Sequence, residues 1–158
     1  MPFKRMKTLT TYTTSRFGEI QVNEEKDIIV LPEGLIGFAQ HKRFVLLEDP
    51  EQEPFLWFQS LDDPNLAFVL VDPLLFFPDY KVQVPKEDVA LLGIEEPKDA
   101  RVLVLVVVDE DPAKITANLK GPVVLNPRDL NAKQVVLMDD RYHTQHRLLE
   151  QIAGTEGD

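Results

Sequence analysis

Cysteine is absent from all 158 residues. Its absence excludes disulfides, thiolate zinc sites and cysteine nucleophiles together, and suits a reducing interior such as the cytoplasm. No apolar run approaches membrane-spanning length. Lys4, Arg5 and Lys7 form a charged start, but residues 8–14 are too polar for the apolar core of a secretion signal. Histidine occurs only at His41, His143 and His146, and no Gly-x-Ser-x-Gly elbow is present, so a hydrolase would lack a nucleophile with its base. His143 and His146 are spaced like ligands on one helical turn, yet no third ligand accompanies them. The sequence therefore offers no catalytic residue, no cofactor and no metal site.

Basic residues are also scarce, 17 against 27 acidic. Four of the 17 (Lys4, Arg5, Lys7, Arg16) lie in residues 1–16, which hold no acidic residue, so residues 17–158 carry 13 basic against 27 acidic, net −14. A surface this acidic is repelled by phosphate backbones and attracts basic proteins, which argues against direct nucleic-acid binding. Acidity also serves solubility, with no partner implied.

What is present organises around residues 67–80. Ala67, Phe68, Val69, Leu70 and Val71 make an apolar run of strand length, and Asp72-Pro73 and Pro78-Asp79 break the chain on either side of Leu74, Leu75, Phe76 and Phe77. Bulky apolar residues thus continue, through Tyr80, where a solvated turn would become polar. These aromatics are either a plug closing a β core or a patch exposed for a protein partner.

Turn signals recur about every ten residues, the spacing of an all-β sandwich or barrel. A hairpin or bent strand is expected over residues 12–22, and a tight turn at Gly34-Leu35-Ile36-Gly37-Phe38. No Lys-Ser/Thr follows those glycines, as a phosphate loop requires. Residues 55–60 form an aromatic strand and turn through Asp62-Asp63-Pro64-Asn65 into residues 67–71, with the two aspartates as turn builders. Residues 81–84 alternate as a half-buried strand. Glu87 and Asp88 open a short helix that Gly93 ends, expected over residues 86–92. Residues 102–108 form a wholly apolar strand needing cover on both faces, and residues 133–138 the last strand. Asp109-Glu110-Asp111 lacks the alternate spacing, central glycine and later glutamate of a calcium loop.

Several of these segments, in order and spacing, resemble the FliW family of flagellar assembly factors. They are Gly34-Leu35-Ile36-Gly37-Phe38, Gln59-Ser60, Ala67-Phe68-Val69, Leu74-Leu75-Phe76-Phe77-Pro78-Asp79-Tyr80, Thr116-Ala117-Asn118-Leu119, Pro122-Val123-Val124-Leu125-Asn126 and Gln134. The chain departs from the family at Asp72-Pro73-Leu74, where Asn-Pro-Phe is usual, and at Lys120-Gly121, where an apolar pair is usual. The resemblance implies a small closed or partly open β-barrel with one short helix, cytoplasmic and non-enzymatic. As partners it implies flagellin and, in alternation, the RNA-binding translational repressor CsrA. One domain is expected over residues 17–146, between a polar leader at 1–16 and a polar tail at 147–158, with residues 1–11 and 155–158 mobile. Chemistry and resemblance together make Phe38, Phe76, Phe77, Asp79, Tyr80, Asp109, Glu110, Asp111 and Asn118 the candidate partner-binding residues. A generic acidic module with one constitutive partner remains the alternative.

Overall fold

The computed structural model describes residues 9–149. Strands β3 (Ile29–Val30), β4 (Arg43–Glu48), β5 (Leu56–Ser60), β6 (Ala67–Val71), β7 (Arg101–Val107), β9 (Val123–Asn126) and β10 (Asn131–Gln134) close into a barrel. The order runs β7-β6-β5-β4-β3-β10-β9, and β9 pairs back onto β7. All these ladders are antiparallel except β3 with β10. Two short strands, β8 (Thr116–Ala117) and β11 (His146–Arg147), extend the sheet alongside the C-terminal end of β7.

Strand alternation explains why the apolar runs carry so little polar residue. Phe44, Phe58, Leu70, Leu103 and Leu125 point into the barrel, where Phe44 and Phe58 stack with centroids 4.4 Å apart. Their neighbours Val69, Val71, Val104, Val106 and Val124 point outward into a second core, roofed by Phe77, Tyr80, Tyr142 and Leu148. Residues with period two thus enter two separate cores.

The N-terminal hairpin, β1 (Leu9–Thr14) with β2 (Gly18–Asn23), forms its own sheet. It packs Val22, Tyr12 and Ile20 against Val45, Leu61 and Leu47 on the outside of β4. This corrects the expectation of a leader running to residue 16 and mobile to residue 11, because Leu9–Thr14 is a paired strand anchored by Tyr12. The remaining ends expected to be mobile, residues 1–8 and 155–158, lie outside the described residues. At the other end β11 and the buried Leu148 carry the fold past residue 146.

The helix α1 (Lys86–Leu92) lies where its signals put it, ending at Gly93 with φ 70°. Lys133 on β10 ties it down by pairing with Asp88 and, at 3.5 Å, with Glu33. The glycine turn also matches, with φ 68° at Gly34 and 88° at Gly37, and a Cβ on Gly34 would meet the Phe38 carbonyl oxygen at 2.6 Å. Asp63 accepts the N–H of Asn65 and builds its turn as expected, whereas Asp62 accepts the backbone N–H groups of Lys42 and Arg43 and so ties that turn to the start of β4.

Three strand expectations are corrected. Residues 81–84 alternate in exposure but join no ladder; Val82 and Val84 lie on the outer core, and the pattern reports one covered side alone. The ladder of residues 133–138 ends at Gln134, beyond which Val135 and Leu137 bond instead to the carbonyls of Pro122 and Lys120. Residues 102–108 are not covered to their end: Val107 is 62% and Val108 60% exposed. β8 pairs Ala117 with Val106 and Thr116 with Val107, but such pairing lies in the plane of the sheet and covers neither face.

Candidate functional site

The uncovered end of β7 opens onto a groove of about 720 Å³ on the outer face of β5, β6 and β7. Outward alternation supplies its floor: Phe55 and Trp57 from the β5 segment, Val69 from β6, Val106 from β7 and Val108 just beyond it. The tip of the β1–β2 hairpin makes one wall. There Arg16 lies over the Trp57 ring, 4.4 Å from its centroid, and Phe17 meets Trp57 edge-on at 5.6 Å. Ile115, Asn118, Thr144 and Gln145 make the other wall, and Gln52 from the acidic 48–53 loop reaches the lining.

Of the candidate residues, Asn118 lines this groove, its Oδ1 accepting the N–H groups of Lys120 and Gly121. Phe76 is half-buried and stacks on Phe55 at 6.3 Å, which joins it to the groove floor. Asp109, Glu110 and Asp111 are exposed and follow directly on Val108, so the apolar floor runs into an acidic rim. Within that rim Asp109 accepts the N–H of Asp111, and Asp111 that of Ala113, which shapes the loop.

Phe77 and Tyr80 are not partner-facing. They are 8% and 7% exposed, and the Tyr80 hydroxyl donates to the Leu119 carbonyl at 2.6 Å, with burial and then the neighbouring Tyr142 holding its pKa well above the ordinary tyrosine value. A short 3-10 turn, Pro73–Leu75, is the cause: capped by Asp72, it swings Phe77 inward and leaves Leu74 and Leu75 in solvent. Asp79 is exposed beside a shallow pocket shared with Arg141, Tyr142 and His146. Phe38 lies outside the groove lining, part-exposed and edge-on to Phe68 at 5.0 Å.

The residues missed by sequence reasoning are Arg16, Phe55, Trp57, Val107 and Val108. A signal for two of them existed. In Phe55-Leu56-Trp57-Phe58 the period of two places Phe55 and Trp57 on the face opposite Leu56 and Phe58, so one aromatic pair had to lie outside the barrel.

The strap forming the second wall carries a proton-sensitive contact. The backbone N–H of His143 donates to Nε2 of His146 at 2.8 Å, and a backbone N–H can only donate, so that nitrogen must keep its lone pair, the one a metal at Nε2 would need. Burial, and then His143 beside it, push His146 below its ordinary value of 6.5. In that window the unfolded chain binds more protons than the folded one. The stabilisation is therefore complete above the ordinary value and is lost as pH falls through the lowered one. Thermal melts between about pH 7 and about pH 5 should show this loss, and His146→Gln should flatten part of the slope. An unchanged slope in the variant would contradict the assignment.

Comparison with known proteins follows the same layout. A sequence profile described as FliW protein matches residues 11–148. The chain belongs to the FliW family. Among its relatives, flagellar assembly factor FliW of Geobacter sulfurreducens is 45% identical over 141 residues, covering 89% of this chain and 87% of that protein. The FliW of Alkaliphilus metalliredigens is 41% identical over 140 residues, covering 88% and 86%. A crystal structure of a flagellar assembly factor FliW superimposes with a TM-score of 0.82 at 36% identity, covering 88% of this chain and 96% of the other. The FliW match spans both walls of the groove, since Arg16 and Gln145 fall inside residues 11–148. Among the described residues no helix is long and apolar enough to cross a membrane.

Proposed function

We propose that this chain is a cytoplasmic, non-enzymatic flagellar assembly factor that holds flagellin in the groove and, in alternation, binds CsrA through the acidic rim. The observation that carries the reading is the junction at Val108-Asp109, where an exposed apolar floor passes into consecutive carboxylates. An apolar floor suits a chain that has yet to bury its own apolar surface, and carboxylates suit a basic, RNA-binding repressor. Because the two features adjoin, an occupant of either disfavours the other, which is all that a reciprocal switch needs. While flagellin fills the groove, CsrA is free to repress flagellin translation; when flagellin is exported, the emptied protein sequesters CsrA and translation resumes.

Neutralising the rim tests the assignment. Asn and Gln at Asp109, Glu110 and Asp111 keep the acceptor oxygens that shape the loop and remove only charge. Each exposed pair lost should weaken CsrA binding by about 0.2 to 1 kcal/mol. The loss should be read in the association rate, which should also fall with added salt, while dissociation changes less. Flagellin binding should stay close to normal. Association rates for CsrA that respond neither to salt nor to the neutralised rim would leave the acidity a solubility device.

A further inference from the structure

Three of the described arginines meet a carboxylate: Arg43 pairs with Asp62, Arg128 with Asp129 and Arg141 with Asp139. Arg16 does not. Among the described residues it has no ion pair, and its guanidinium lies over the face of Trp57. Stacking occupies the flat face of a guanidinium and leaves its in-plane N–H donors unspent. The hairpin tip that carries it is anchored on either side of Arg16, since Phe17 packs against the same indole and the Ser15 N–H donates to the Pro64 carbonyl at 2.9 Å. The result is an exposed donor fork presented at the groove wall, the group that takes a carboxylate through two parallel hydrogen bonds. Among the described residues Arg16 is also the only charged side chain in the lining; the other polar members, Gln52, Asn118, Thr144 and Gln145, are neutral.

Resting on the groove as the flagellin site, we infer that Arg16 is a specificity-determining residue: the groove selects an apolar segment carrying one acidic side chain, whose carboxylate docks on the Arg16 fork while its aliphatic neighbours lie over Val106 and Val108. The charge of the surroundings sharpens the choice. In a chain with 27 acidic residues, a carboxylate is repelled from most of the surface, and the rim at Asp109, Glu110 and Asp111 disfavours every register that brings it there. Only the alignment that puts it on Arg16 is favoured.

Trp57 is the chain's single tryptophan and reports directly on this contact. The full chain would be titrated with the capped peptide Ser-Leu-Val-Glu-Leu-Val-Ser, its Gln counterpart, and that counterpart with a free C-terminal carboxylate, followed by Trp57 fluorescence. The Glu peptide should bind about tenfold more tightly than its capped Gln counterpart. Arg16→Gln should abolish that difference, and Arg16→Lys, which keeps the charge but not the fork, should restore only part of it. Flagellin binding should drop for Arg16→Gln alongside. Equal binding of the capped Glu and Gln peptides, an unchanged preference in Arg16→Gln, or no peptide binding at all would overturn the inference. A gain confined to the free C-terminus would also overturn it, by replacing an acidic side chain with a chain end. Val108→Glu separates the two levels. If it removes flagellin binding while Arg16→Gln does not, the groove reading stands and the Arg16 assignment falls; if Val108→Glu leaves flagellin bound, the groove reading itself falls.

Discussion

Val108→Glu should weaken flagellin binding by at least about 2 kcal/mol, roughly thirtyfold, while leaving the melting temperature almost unchanged. Val108 is exposed and follows the last residue of β7, so a glutamate there disturbs no core and should alter stability by less than about 0.5 kcal/mol. On binding, the same carboxylate would have to leave water for a contact with the apolar floor at Val69 and Val106 and with the partner. CsrA should respond in the opposite way to the two variants. An added acid beside Asp109 does not impair a basic partner, whereas the neutralised rim does. Calorimetric titration of both partners against both variants gives four affinities, and a Val108→Glu protein that loses CsrA and keeps flagellin would reverse the assignment.

Phe77→Ala should cost about 3 to 5 kcal/mol of folding stability. The ring is buried in the outer core, edge-on to His146 at 5.8 Å and part of the cluster that includes Tyr80, Tyr142 and Leu148. Removing it leaves a cavity beneath the strap that also forms one groove wall. Against a total stability of about 5 to 15 kcal/mol, the loss is large enough to displace a urea midpoint substantially. Leu75→Ala, two residues earlier on the exposed side of the 3-10 turn, should change stability by less than about 0.5 kcal/mol. Similar midpoints for the two variants would mean that Phe77 is not part of the core.

The contrast between Leu75 and Phe77 shows where sequence reasoning stops. The breakers Asp72-Pro73 and Pro78-Asp79 were legible because proline acts locally, and so was the surplus of bulky residues between them. Which of those residues face the core depends on how the 3-10 turn sits on Val71 and Val104, which only the tertiary structure decides. The same division holds elsewhere. Helix α1 could be placed to the residue because its acidic first turn and its Gly93 stop are adjacent in sequence. Barrel closure through β7–β9 and the parallel β3–β10 contact were not, since they join segments far apart in the chain. The groove was hidden for a further reason. An apolar strand predicts cover on both faces, and whether a second layer reaches its end at Val107 and Val108 is settled by packing that no local pattern in the strand records. The aromatic and acidic features read separately in the sequence became one surface only when Val108 was seen to lie between them.

The most direct test is a competition. CsrA carrying a fluorescent label would be bound to the protein at saturation, and unlabelled flagellin added while anisotropy is followed. If the two partners bind in alternation, anisotropy should fall to the value of free CsrA, with a midpoint that rises in proportion to the total CsrA present. Flagellin that binds while CsrA stays attached, seen as a rise in anisotropy and a ternary complex on size-exclusion chromatography, would contradict the switch.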